Sequence, residues 1–152
     1  MSTGSRELDG FIARYSREVE AQMHAAIGIM RRQLPSANLL VYDNYNALAV
    51  GFGATEKASD VIVSIAAYPR WVSLFFLHGA ELDDPHKLLG GSGRQVRSIR
   101  LVEPEMLNHP DMQALLATAI AKAKRPLDSN GPGKILIKSI SAKQRPRRPV
   151  GQ

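Results

Sequence analysis

The chain has 152 residues, 44% of them hydrophobic and 22% charged, which describes one globular domain with a real core and excludes a disordered chain. It contains no cysteine, so disulfides, thiolate metal sites and a cysteine nucleophile are excluded, in keeping with a reducing compartment. The net charge is +6, yet all fourteen acidic residues and fourteen of the twenty basic ones precede Lys134. Residues 1–133 therefore balance, and the excess belongs to Lys134, Lys138, Lys143, Arg145, Arg147 and Arg148.

The opening MSTGSRELDG has no apolar run that would make a secretory signal. The most apolar stretch, Val61 to Leu77, is interrupted by Pro69 and Arg70 and is too short and broken to span a bilayer as a helix. The expectation is a soluble, cytoplasmic protein with no membrane partner.

Leu8, Phe11, Ile12, Tyr15, Val19, Met23, Ile27, Met30 and Leu34 recur at steps of three or four, which predicts one long amphipathic helix over 7–33. Pro35 ends it. Residues 38–45 and 47–52 then read as a hairpin turning at Asn44 to Asn46, and residues 60–68 as a strand rich in β-branched side chains. Residues 71–78 form the next strand. Val72, Leu74 and Phe76 share one of its faces, and Trp71, Ser73, Phe75 and Leu77 the other, so both faces call for cover by helices or by a partner chain. That second face is the expected surface of a homodimer, through Trp71, Phe75 and Leu77.

Asp83 or Asp84 can cap a short helical turn with Pro85 in its first positions and Leu88 and Leu89 packing inward. After the glycine loop, residues 96–102 predict a strand, and Asn108 reads as the cap of a second helix with Asp111 in its first turn. Residues 126–133 make a turn-rich linker, residues 134–140 a last strand, and residues 143–152 a basic, Pro- and Arg-rich tail on a domain of residues 1–142. The fold class is α+β, with two layers: a mostly antiparallel sheet packed with a long amino-terminal helix and a second, carboxyl-terminal one.

Taken together, the stretches ELDGFIARYS, LVYDNYNALAVGF, VIVSIAAYPRWVSLFFLHGAEL, DPHKLLGGSGRQVRSIRL and KSISAKQRPRRP resemble the YdhG-like domains of unknown function. The resemblance covers most of the chain. It implies a compact α+β fold, mainly bacterial, with no established reaction. Some relatives carry an iron-chaperone or frataxin-like label, which supplies no ligand motif to carry over here. Arg94 departs from the lysine of many members, keeping the charge but changing donor geometry.

Three clusters are candidate sites. Gly90, Gly91, Ser92, Gly93 and Arg94, with Arg97 beyond, could nest a small anion on backbone N–H groups and close over it with arginines. The loop is neither a Walker loop nor a dinucleotide fingerprint, and a connection needing positive φ accounts for it equally. Tyr42 and Tyr45, with Asp43, Asn44 and Asn46, could recognise a small ligand by stacking and hydrogen bonds, although a turn demands the same residues. His78, Asp83, Asp84 and His86 could be gathered as a metal set but lack a recognisable ligand spacing, so no metal or other cofactor is expected. The serines and histidines show no nucleophile elbow.

The tail could attract nucleic-acid phosphates, but it has no interleaved aromatics, so single-strand stacking is not expected from it and nucleic acid is the lesser reading. The preferred function is a non-enzymatic small-ligand or protein-interaction module. Three alternatives stand beside it: an enzyme holding a small anionic substrate at the Gly90 to Arg94 loop, weak nucleic-acid binding through the tail, and iron-chaperone-like metal binding.

Overall fold

The structure, a computed structural model, describes residues 3–149. Its elements in chain order are α1 (Thr3–Ile12), α2 (Arg17–Gln33), β1 (Asn38–Asp43), β2 (Leu48–Gly53), β3 (Val61–Ala67), β4 (Val72–Phe76), β5 (Arg97–Leu101), α3 (Pro110–Lys122) and β6 (Ile135–Ile140), with short 3-10 turns between some of them. The strands form one six-stranded sheet in the order β5-β4-β3-β2-β1-β6. Every neighbouring pair is antiparallel except β1 and β6, which run parallel. The fold is α+β. Among the described residues no helix is long and apolar enough to cross a membrane.

The long helix expected over 7–33 is two helices. The apolar stripe is continuous, but Ser16 takes extended angles and its hydroxyl accepts a hydrogen bond from the Val19 N–H at 3.3 Å, an N-cap that starts α2 afresh. The break lets Tyr15 leave the helical path. Its buried hydroxyl donates to the Ala67 carbonyl at 2.9 Å and accepts from the Leu48 N–H at 3.1 Å, joining the ends of β3 and β2. Periodicity could not see this, because Tyr15 keeps the spacing of the stripe while its polar end needs partners on the sheet.

Alternation along the strands sets two faces. The row Ile137, Val41, Val50, Ile65, Leu74 and Ile99 crosses the whole sheet in register. With Leu39, Phe52, Val63 and Phe76 it packs into one core against Leu8, Ile12, Val19, Met23 and Met30 of α1 and α2 and Met112, Leu115 and Leu116 of α3. Each such side chain contributes about 1.5–3 kcal/mol. The opposite face carries Leu40, Tyr42, Ala49, Gly51, Ser64, Ala66, Ser73 and Phe75, none of which belongs to that helix-packed core. The helix-packed core thus lies on one of the two apolar faces expected around β4, while Leu40, Ala66 and Ser73 on the other are themselves buried.

Two local expectations change on the carboxyl-terminal side. The chain after Asp83 and Asp84 forms turns, not a helix: both Asp84 carboxylate oxygens accept backbone N–H groups, from Leu88 at 2.9 Å and Leu89 at 2.8 Å, while Lys87 takes a φ of 53°. The cap of α3 is His109, not Asn108, because Pro110 occupies the first helical position; the His109 Nδ1 accepts from the Asp111 N–H at 3.2 Å.

Asp43 closes β1 on the helix-packed side and is buried, as is Arg147 of the terminal segment. Arg147 Nη2 donates to Asp43 Oδ1 at 2.9 Å and to the Asn44 carbonyl at 2.5 Å. Gln144 Nε2 donates to Asp43 Oδ2 at 2.9 Å, and Arg14 Nη1, 3.5 Å from that same oxygen, donates to Gln144 Oε1 at 2.6 Å. The Arg147 guanidinium also lies 5.8 Å from the centre of the Tyr15 ring. Backbone bonds from Ser141 to the Asp43 carbonyl (2.8 Å) and from Arg145 to the Tyr45 carbonyl (2.9 Å) complete the attachment. Residues 143–149 are thus tied to the domain by a buried ion pair.

Arg147→Ala strands a buried carboxylate, and we expect a loss of about 3 kcal/mol, the lower end for breaking a buried pair, because Gln144 and Arg14 still face Asp43. Urea unfolding of the two proteins measures it. A second expectation concerns alkali. Burial raises the Tyr15 phenol above its ordinary 10.0, outweighing the lowering by Arg147. The folded state thus keeps the proton longer than the unfolded one. Its stabilising effect is full below pH 10 and is lost as pH rises through the higher folded-state value. Unfolding midpoints taken across that range should fall for the native chain and stay flatter for Tyr15→Phe.

Candidate functional site

One end of the sheet gathers the β1–β2 turn, the β3–β4 turn and the terminal segment. The β3–β4 turn is closed by the Tyr68 N–H donating to the Trp71 carbonyl at 2.8 Å, with Pro69 and Arg70 at its tip. This places the two rings together, with centroids 5.3 Å apart and planes 25° from parallel. Arg100 of β5, opposite Ser73 in the register, lies 4.5 Å over the Trp71 ring. Burial raises the Tyr68 phenol above its ordinary 10.0, so the ring keeps its proton further into alkali than a free tyrosine does.

Beside the rings runs an open groove of about 620 Å³, lined by Asn46, Tyr68, Arg70, Trp71, Arg145 and Arg148 together with Pro69, Pro146 and Pro149. Its lining contains three arginines and no acid. Arg70, Arg145 and Arg148 are exposed, and among the described residues none of them is in an ion pair. Arg148 Nε donates to the Arg14 carbonyl at 3.2 Å, which holds one edge of a guanidinium that has no carboxylate partner among the described residues. The groove can hold negative charge beside a planar ring.

A second cavity, of about 170 Å³, opens at the other end of β3 and β4 between Phe76, His78 and the end of α3. Two of its charged side chains are already engaged. The Asp60 carboxylate accepts from the Thr55 hydroxyl at 2.6 Å, and Lys122 Nζ donates to the Glu81 carbonyl at 2.8 Å.

The glycine loop lies on the far edge of the sheet. Gly90 and Ser98 exchange backbone bonds at 2.8 and 2.9 Å, and Gly91 uses a φ of 124° that an L side chain rarely adopts. Ser92, Gly93 and Arg94 are exposed. The Arg97 guanidinium donates to the loop's own carbonyls, Gly93 at 2.6 Å and Val96 at 2.8 Å, so it clasps the loop. Tyr42 lies on β1, four strand positions from β5, or roughly 19 Å across the sheet. Its buried hydroxyl has no hydrogen-bond partner among the described residues. Tyr45 is 52% exposed on the β1–β2 turn. The structure therefore does not bring Tyr42 and Tyr45 to the glycine loop.

His78, Asp83, Asp84 and His86 do not assemble either: His86 Nε2 lies 3.4 Å from Asp111, and among the described residues no three His, Asp or Glu side chains form a group that could hold a metal. Trp71 and Phe75 are half-buried on the helix-free face and Leu77 is half-buried just beyond β4. Comparison with known proteins yields no matching family model, no matching curated protein and no matching solved structure.

Sequence reasoning missed the groove because its parts come from three distant stretches. The available signal was the pair Tyr68 and Trp71 flanking Pro69 and Arg70, a tight turn that places two rings side by side. If Arg97 is the loop's clasp, Arg97→Ala should accelerate amide hydrogen exchange across residues 91–96 by roughly tenfold, with global unfolding changed by less than about 1 kcal/mol. Exchange followed by mass spectrometry decides it.

Proposed function

We propose that this protein is a non-enzymatic binding module for a small anionic ligand that carries a planar ring. One observation carries the reading: a stacked Tyr68–Trp71 pair stands beside Arg70, Arg145 and Arg148, with no carboxylate in the lining to neutralise them. A ring can lie on the aromatic pair while a phosphate or carboxylate takes charge-assisted hydrogen bonds from the guanidinium groups. The lining offers no carboxylate or imidazole as a general base, which favours holding a ligand over turning one over. The YdhG-like resemblance belongs to this proposal, since a family without an established reaction accords with a binding role.

Trp71 is the only tryptophan in the chain, so its fluorescence reports on the groove directly. Titration with a nucleoside monophosphate should quench it and raise the melting temperature. The uncharged nucleoside and inorganic phosphate should each bind at least tenfold more weakly, because each meets only half of the site. The double variant Arg145→Ala/Arg148→Ala should lose about tenfold or more in affinity for the monophosphate without unfolding, since both side chains are exposed. No response to the monophosphate, or equal responses to all three probes, would overturn the reading.

A further inference from the structure

We infer that the groove is one end of a track for single-stranded nucleic acid, running from the terminal segment along β4 and β5 on the helix-free face. The inference rests on the groove reading and extends it from one ring and one anion to a chain of them.

A single strand needs planar platforms for unpaired bases and cations for the phosphates between them. The first platform is the Tyr68–Trp71 stack. Trp71, Ser73 and Phe75 follow one another at every second position, so they share the helix-free face, and Phe75 stands about 13 Å along the strand from Trp71. Between and beside them lie the small side chains of Ser64, half-buried, and of Ala66 and Ser73, both buried. Phe75 is half-buried and pairs with Ser98 of β5, the residue to which Gly90 of the exposed glycine loop is bonded.

Cations mark the same course. Arg70, Arg145 and Arg148 stand at one end, Arg100 sits over Trp71, and Arg94 is exposed on the glycine loop at the other end. Among the described residues none of the five is in an ion pair. Charge complementarity therefore selects a polyanion, and the rings select one whose bases are unpaired. An acidic peptide would satisfy the arginines but leave the rings without planar partners.

The test uses the full chain and Trp71 fluorescence, with oligouridylate, oligothymidylate, a duplex of the same length, polyglutamate and uridine monophosphate as probes. The oligomers should bind at least tenfold more tightly than uridine monophosphate, with log affinity falling linearly against log salt. A preference between the first two tells whether the sugar is read. Phe75→Ala should weaken oligomer binding about tenfold and leave uridine monophosphate binding unchanged. Arg94→Gln, on an exposed loop, should weaken the oligomer and reduce the salt slope, and it serves if Phe75→Ala melts early.

Oligomers binding no more tightly than uridine monophosphate would overturn the track and leave the groove reading intact. Silence with every probe would overturn both. Equal binding of the duplex or of polyglutamate would reduce the interaction to charge and overturn the track. A doubled mass by light scattering, without oligomer affinity, would assign the face around Trp71, Phe75 and Leu77 to a second copy and overturn it too.

Discussion

The Asp43 carboxylate at the end of β1 is the constraint on which the rest of the architecture turns. It is buried on the helix-packed side of the sheet, where an uncompensated charge costs several kcal/mol. Besides Arg14, its partners Gln144 and Arg147 stand more than a hundred residues later in the chain. Meeting the needs of one carboxylate therefore fixes the course of the terminal segment. The same guanidinium donates to the Asn44 and Tyr45 carbonyls, so the β1–β2 turn and the terminal segment hold each other in place.

That attachment has a consequence on the outer surface. Arg145 and Arg148 flank the buried Arg147 and are held at the rim of the groove, each beside a proline. Across from them, the β3–β4 turn presents Tyr68 and Trp71. Internal pairing and external binding are divided among neighbouring arginines: Arg147 faces inward to a carboxylate, while the residues on either side face solvent. The formal neutrality of residues 1–133 gives no hint of this local excess, because net charge says nothing of which charges are already paired.

The strands were legible because alternation and β-branched residues mark them, and the observed boundaries of β1 to β5 fall within one or two residues of the expected ones. The core was legible too: Leu8, Ile12, Val19, Met23 and Met30 all face it as the stripe requires. The break at Ser16 was not, since the demand that opens it comes from Ala67 and Leu48 on the sheet. Nor was the choice of His109 over Asn108 as a cap, where Pro110 shifts the helix start by one residue.

The sequence alone determined the fold class, the strand positions and the location of the excess charge, because these follow from local periodicity and composition. Only the tertiary structure decided which arginine is buried, which remain unpaired, and which aromatic rings stand beside them. Residues 143–149 contain no aromatic ring, and the aromatic rings of the groove lie more than seventy residues earlier. Their meeting depends on strand order and on a buried carboxylate's need for a partner. No window along the chain contains both.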